Sequence, residues 1–326
     1  MVLSAGAVVV TGAGGFVGRA LIAHFREAGR AFRAVVRTSD TVPPLPPGVI
    51  AVRDLATATE AELDAIVAGA TAIVHLAARV HVMAETATDP VAAFRAANVL
   101  ATTRLVQAAI RAEVGRFVFA STIKVNGDST LAGKPFHPDD PPAPRDAYAR
   151  SKLDAERELL RLAAGTSLEP VILRLPLVYG PGVAGNFLAL EDEIARGRAL
   201  PLGAIRNRRS VLGLGNLVEA IDAALDAPVA PRGVHFLADE ESVSVPELTR
   251  AIAASLGVEA RLRKVPVPIL RLIGFLSGRR ATIERLTGSL EADPSSFTAA
   301  TGWQPRHSLA HGLVATARWW RLRHSI

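Results

Sequence analysis

The sequence predicts an α/β protein, a doubly wound parallel sheet joined to a smaller, partly interleaved C-terminal region. Three observations predict it. Short apolar runs alternate with longer Ala- and Leu-rich segments from residue 7 to residue 175, and strands that alternate with helices make parallel βαβ units. The first apolar run opens into a glycine-rich turn and then a helical period, Thr11-Gly12-Ala13-Gly14-Gly15-Phe16-Val17-Gly18. The chain has 326 residues, 49% of them hydrophobic, which is ample for a large core in one big domain or in two.

The elements follow in order. A strand is predicted at Ala7–Thr11 and a helix at Val17–Ala28, closed by Gly29. Strands are predicted at Phe32–Arg37 and Val49–Arg53, a helix at Glu60–Ala68 and a fourth strand at Ala72–Leu76. Pro90–Glu113 carries one long helical period, Arg116–Ser121 reads as a fifth strand, Tyr148–Ala164 as a helix and Pro170–Leu175 as a strand. Beyond Leu175 the rhythm changes. Gly and Pro cluster in Pro176–Gly185, a helix is predicted at Phe187–Gly197, another at Leu217–Leu225 and a strand at Gly233–Leu237. Residues 1–175, with about 207–235, are expected to form the nucleotide-binding part. Residues 176–206 and 236–326 are expected to form the substrate part.

Composition narrows the chemistry. The absence of cysteine excludes disulfides, thiolate nucleophiles and cysteine zinc sites. A charged fraction of 21% argues against disorder. Met1–Val10 has no basic leader region, and no apolar run reaches membrane-span length; the expectation is a soluble cytoplasmic protein without membrane insertion. The hydrophobic, basic stretch Arg261–Arg280, broken by Pro266 and Pro268, is read as a packed amphipathic segment in preference to one that touches a membrane surface. The net charge is +6, yet aromatics are only 5%. A nucleic-acid surface needs a concentrated basic face with interleaved aromatics, so that partner is not expected. A basic balance suits an anionic small substrate such as a diphosphate.

The glycine loop carries the first site. Gly12 permits the tight turn, Gly15 lets the backbone approach a pyrophosphate and Gly18 lets the helix pack close to the strand. Amides at the helix N-terminus then face the phosphates. No Lys-Ser/Thr follows the glycines, so a P-loop phosphotransferase is not expected. An acidic residue ending the second strand would bind the ribose 2′-hydroxyl of NAD; this chain has Arg37, which accommodates a 2′-phosphate and favours NADP while leaving NAD open. Asp54 and Leu55, after the third strand, are expected near the adenine.

The second site is Tyr148-Ala-Arg-Ser-Lys152, which sets two ionisable groups one helical turn apart. A nearby ammonium stabilises phenolate and is expected to lower the tyrosine pKa, making a proton relay for carbonyl/alcohol interconversion beside a nicotinamide. Only four of the 37 Lys and Arg residues are lysines. Arginine does not deprotonate and has no such use. A third member is expected where the fifth strand ends, at Ser121 or Thr122.

Together these residues resemble the extended short-chain dehydrogenase/reductases, the Rossmann-type nucleotide-sugar epimerases and reductases. The resemblance runs through Thr11–Gly18, His75–Ala78, Asn98, Phe117–Gly127, Tyr148–Lys152 and Arg174–Pro181. It implies that Thr122, three residues before Val125 of the Val125-Asn126-Gly127 turn, is catalytic with Tyr148 and Lys152, and that Ser121 is its substrate-binding neighbour. It implies cofactor contacts at Phe16, Val17, Leu76, Ala77, Ala78 and Leu175, and substrate-diphosphate contacts at Asn186 and Arg209. It also implies a UDP-linked sugar substrate and a homodimer. Sugar 4,6-dehydratases of that family carry Asp-Glu after the catalytic Thr; here Ile123 and Lys124 stand there, so dehydration is not expected. Where the family usually has Asp, this chain has Asn216, after Gly213 and Gly215. The function expected first is reduction of a 4-keto-6-deoxy sugar nucleotide, because the Ser121–Gly127 stretch resembles a UDP-N-acetyl-quinovosamine-forming subgroup; a UDP-glucose/UDP-N-acetylglucosamine 4-epimerase is the alternative, and a non-catalytic dinucleotide-binding regulator the minor one.

Overall fold

The computed structural model describes residues 6–40, 46–80, 89–131 and 133–325; residues 1–5 of the stretch Met1–Val10 read above lie outside them. A seven-stranded sheet is built of β1 (Val8–Thr11), β2 (Phe32–Arg37), β3 (Val49–Val52), β4 (Ala72–His75), β5 (Arg116–Thr122), β6 (Glu169–Leu175) and β9 (Gly233–Phe236). Its order is β3-β2-β1-β4-β5-β6-β9, and every neighbouring pair is parallel. The chain winds outward from β1 to β3, then restarts at β4 and winds the other way. The crevice at the carboxyl ends of β1 and β4 is therefore the topological switch point, where such sheets bind ligands.

The strands are apolar on both faces because both faces are covered. Val9, Ile73, Phe117, Phe119 and Ile172 pack on one side, with Leu63 of α2 (Glu60–Val67), Leu105 of α4 (Ala101–Arg111) and Leu159 of α5 (Ala147–Ala163). Val8, Val10, Val74, Val118 and Leu173 pack on the other, with Leu21 and Phe25 of α1 (Phe16–Glu27) and Leu217 and Ile221 of α7 (Leu214–Asp226). Alternate residues of one strand thus serve two cores.

The structure differs from the sequence reading in three places. The long helical period over 90–113 is interrupted: α3 (Pro90–Phe94) runs into a π-helical turn, Arg95–Leu100, before α4 begins. Such turns insert one extra residue and cluster at functional sites; here the turn buries Asn98. Two short strands, β7 (Leu177–Tyr179) and β8 (Val211–Gly213), pair in parallel as a separate small sheet. They lie in Gly- and Pro-rich sequence too short for a periodic signal.

The third difference is in the C-terminal region, which holds α6 (Gly185–Ala195), α8 (Val245–Leu256), α9 (Val267–Leu276), α10 (Arg280–Thr287), α11 (Ser295–Thr301) and α12 (Leu309–His324). Phe187, Ile252, Leu313 and Trp320 gather there around Tyr179, whereas Phe297 and Trp303 join the main core. The segment 261–280 is not packed as expected. In α9 only Leu270 and Gly274 are buried, while Ile269, Leu272, Ile273, Phe275 and Leu276 are exposed.

Candidate active site

The turn after β1 leaves room for nothing but glycine at two positions, 12 and 18. Gly12 has φ +70°, and a Cβ there would lie 2.6 Å from the Ala77 nitrogen. A Cβ on Gly18 would lie 2.2 Å from the Gly12 oxygen. Gly15 is the N-cap of α1 and offers no side-chain acceptor, so the first-turn amides are left for an anion. Arg19 closes the turn from outside, its Nη1 donating to the Gly14 oxygen at 2.6 Å.

This turn forms one wall of a cleft of about 850 Å³ at the switch point. Gly12, Gly15, Arg37, Asp54, Leu55, Leu76, Ala77 and Ala78 all line it, so eight positions singled out from sequence meet in one cavity. The bare glycine cradle and the cleft's size fit a dinucleotide. Val17 and Gly18 lie behind the turn at the start of α1, and Leu175 ends β6. Phe16 lines a second cavity of about 520 Å³ instead, with Arg19, Tyr179 and His307. At the outer end of the cleft, the exposed Arg37 Nε donates to Asp40 Oδ2 at 3.1 Å. Asp40, held below the usual carboxylate range by Ser39 and Arg37, also lines the cleft and was not foreseen.

β5 and α5 bring the candidate catalytic groups together. Thr122 ends β5 opposite Leu175; it is buried, and its Oγ1 accepts from the Lys124 amide at 3.3 Å. Helix α5 starts at Ala147 because Asp146 caps it, Oδ1 accepting from the Ala149 amide at 2.7 Å. That start points Lys152 inward. Its Nζ lies 3.8 Å from the centre of the Phe119 ring, and burial pushes the amine down to about 7, opposed by Glu156. Tyr148 is half-buried against Phe94, ring centres 6.2 Å apart. The expected lowering of its pKa is corrected: burial, with Asp146 adding to it, pushes the phenol up to about 12. Desolvation disfavours the phenolate, and the amine that was to stabilise it is itself easily neutralised.

Two buried networks hold this arrangement. In the first, Asn98 Oδ1 accepts from the Arg79 amide at 2.7 Å, and Nδ2 donates to the Arg79 oxygen at 3.0 Å and to Ser151 Oγ at 2.9 Å. Ser151 in turn donates to the Tyr148 oxygen at 2.7 Å. Because Arg79 lines the cleft, Asn98 ties the cleft wall to α5. The Asn98 oxygen accepts from Thr102 Oγ1 at 2.6 Å, so Thr102 accepts from His75 Nε2 at 3.0 Å and His75 Nδ1 accepts from Thr11 at 2.6 Å. Burial and the Lys152 charge push His75 down to about 3, which keeps the imidazole neutral.

In the second network, Ser121 Oγ donates to Glu156, whose other oxygen pairs with Arg174 Nη2 at 2.6 Å. Arg174 Nη1 donates to Asn126 Oδ1 at 2.8 Å. The hydroxyl proton of Ser121 is thus committed to a structural pair. Glu156 was missed from sequence, although it continues the Tyr148, Lys152 spacing by four.

The two positions after Thr122 are turned away from chemistry. Ile123 is buried with Phe236, Leu290 and Ala292, and Lys124 pairs with Asp146 and lies 3.7 Å from Asp128. The two residues expected at the substrate diphosphate lie further along the chain. Asn186 is exposed in the first turn of α6, whose N-cap, Ala184, gives no side-chain bond. Arg209 Nη1 donates to the Arg285 oxygen at 2.7 Å and the Gly288 oxygen at 3.1 Å; burial lowers its pKa. It therefore fastens the end of α10.

The family model described as the NAD dependent epimerase/dehydratase family matches residues 8–237. A UDP-glucose 4-epimerase of Vibrio cholerae is 37% identical over 317 residues, spanning 95% of this chain and 94% of its own. Among solved structures, MoeE5 in complex with UDP-glucuronic acid and NAD gives a TM-score of 0.75 at 28% identity, covering 98% of this chain and 100% of its own. The Bordetella bronchiseptica enzyme WbmG in complex with NAD gives 0.76 at 21% identity over 98% of this chain and 95% of its own, a likeness of fold. By the match of that family model over residues 8–237 and the likeness to the epimerase along nearly the whole chain, this chain is an enzyme of the NAD dependent epimerase/dehydratase family, of the extended short-chain dehydrogenase/reductase type.

Proposed function

We propose that the enzyme acts at C4 of a UDP-linked sugar, as a 4-epimerase using NAD or NADP. The observation that carries this reading is the pairing of a complete Thr122, Tyr148, Lys152 set with the withdrawal of Ile123 and Lys124 into core and ion pair. Carbonyl/alcohol chemistry is provided for and elimination is not. The likeness to the Vibrio cholerae UDP-glucose 4-epimerase along nearly the whole chain supports it.

A nicotinamide dinucleotide in the cleft supplies the hydride acceptor and donor. Thr122 holds the C4 oxygen, and Tyr148 in its ionised form takes the C4 hydroxyl proton, while the C4 hydride would pass to the bound nicotinamide. Rotation of the 4-keto sugar turns its other face to the nicotinamide; hydride returned to C4 on that face, with the proton returned to the oxygen from Tyr148, would give the epimer. Lys152 orients the phenol and cofactor ribose, and Ser121 borders the sugar. In this reading residues 1–175 with about 207–235 hold the dinucleotide, and 176–206 with 236–326 hold the substrate. The uncapped start of α6 at Asn186 suits a diphosphate, as does the cation of Arg209.

A second reading, reduction of a 4-keto-6-deoxy sugar nucleotide, is favoured by one observation. A phenol pushed up to about 12 is a proton donor at neutral pH, and reduction needs only the donor. The two are separated by incubating the enzyme with UDP-glucose and UDP-N-acetylglucosamine without added reductant and resolving the sugars by anion exchange. Interconversion that stops in Tyr148→Phe supports epimerisation. Stoichiometric NAD(P)H consumption with a 4-keto sugar, and no interconversion, supports the reductase. Activity unchanged in Tyr148→Phe overturns both.

A further inference from the structure

Helix α9 is anchored by a thin stripe. Leu270 packs with Leu202, Ile205 and Val245. Gly274 sits so close to α10 that a Cβ would lie 2.6 Å from Ile283 Cγ1. The opposite face carries Ile269, Leu272, Ile273 and Leu276, spaced i, i+3, i+4, i+7 as one outward stripe. Phe275 widens it. Leu276 is 75% exposed and Phe275 66%. A contiguous exposed apolar stripe rimmed by charge marks a contact.

The charge around the stripe says with what. Arg261, Arg263 and Lys264 precede α9, Arg271 lies on it, and Arg279 and Arg280 follow; all six are exposed. No acid occurs from residue 260 to residue 283. The nearest are Glu259 and Glu284, the latter 2.7 Å from Arg280 Nε. Six like charges round an apolar stripe oppose self-association and complement an anionic surface. Ten residues of helix span about 15 Å, half the ~30 Å of a bilayer core, and no helix among the described residues is long and apolar enough to cross a membrane. The segment matches a helix lying in the plane of an interface, apolar residues in the acyl boundary and bases at headgroup level.

We infer that α9 docks the enzyme on an anionic lipid surface. The test is sedimentation of the full chain with vesicles of phosphatidylcholine alone or mixed with phosphatidylglycerol, at low and high salt. The protein binds the mixed vesicles, and high salt weakens binding. Arg271→Gln and Arg279→Gln each lower the partition about fivefold, the equivalent of about 1 kcal/mol per base. Leu272→Ser with Phe275→Ser lowers it more than tenfold; both side chains are exposed, and an unchanged melting temperature verifies the fold. Equal partition of wild type and double variant overturns the proposal, as does indifference to phosphatidylglycerol. A self-associating chain that ignores vesicles and becomes smaller in the double variant also overturns it, placing a second copy on α9. The assay needs no sugar nucleotide, so its result is independent of the reaction assigned above.

Discussion

The ammonium of Lys152 stands 3.8 Å from the centre of the Phe119 ring, and the same ring stacks on His75 with centres 5.7 Å apart. A cation buried on an aromatic face is attracted to the ring yet stripped of water. Burial dominates, and the amine is pushed down from 10.5 to about 7. Across that window the unfolded chain holds a proton that the folded chain releases, so stability rises with pH from about 7 toward 10.5. Lys152→Met removes the penalty. The variant should lose activity by about 10²-fold or more, yet melt higher than wild type at pH 6, by ~2–4 °C for each kcal/mol recovered. The gain should vanish as the pH approaches 10.5. Calorimetry at pH 6 and pH 9.5 checks it; a lower melting point at pH 6 would show that the charged amine stabilises the fold.

Asp146 bears on the other member of the pair. It raises the Tyr148 pKa, caps α5 and pairs with Lys124. Asn caps as well as Asp, so Asp146→Asn keeps the helix and deletes the charge. The phenol should then ionise more easily, and the pH profile of kcat/KM for the oxidative half-reaction should move to lower pH by roughly half to one unit. An unmoved profile with unchanged melting temperature would remove Asp146 from the tuning of Tyr148.

Arg37 and Asp40 face each other at 3.1 Å in the wall of the cleft, and we propose that they set cofactor choice. Arg37 offers a cation to a 2′-phosphate, whereas Asp40 offers an acceptor to a 2′-hydroxyl and competes for Arg37. Arg37→Ala should reduce the NADP/NAD affinity ratio about five- to tenfold, and Asp40→Asn should raise it. Fluorescence titration with both reduced cofactors measures the ratio; equal effects on the two would place Arg37 outside the 2′ site.

What was legible in the sequence was what depends on local chemistry. Gly12 and Gly18 are read from spacing because their neighbours leave no room for a Cβ. Tyr148 and Lys152 are read from the helical repeat. The buried partners were not legible, because they come from distant segments: Glu156 meets Ser121 and Arg174 only once β5, α5 and β6 are packed. The π turn at Asn98 was hidden inside an unbroken helical period, since hydrophobic spacing does not register one extra residue. The pKa of Tyr148 was misjudged for a related reason: spacing supplied the nearby amine but not the burial.

Asn216, which stands where the family usually has Asp, illustrates how the structure explains a departure that spacing alone left without account. It is fully buried and uses its whole amide. Nδ2 donates to Asp239 Oδ1 at 2.7 Å and to the His307 oxygen at 2.8 Å, and Oδ1 accepts from the Arg306 and His307 amides at 3.1 and 2.9 Å. Asp239 also accepts from the Gly213 amide and from Tyr179. Gly215 sits close beneath the same segment, where a Cβ would lie 3.1 Å from His307 Cδ2. The amide therefore fastens the chain before α12 to the start of α7. Asn216→Asp keeps the shape but removes both donors and sets two carboxylates together in the interior, each of which needs partners it then lacks. The variant should lose about 2–4 kcal/mol in urea unfolding, and lose it most above pH 6, where both acids would have to be ionised; protonating one as the pH falls should restore part of the difference. Equal urea midpoints at pH 7.5 would show that the node is not a structural clamp.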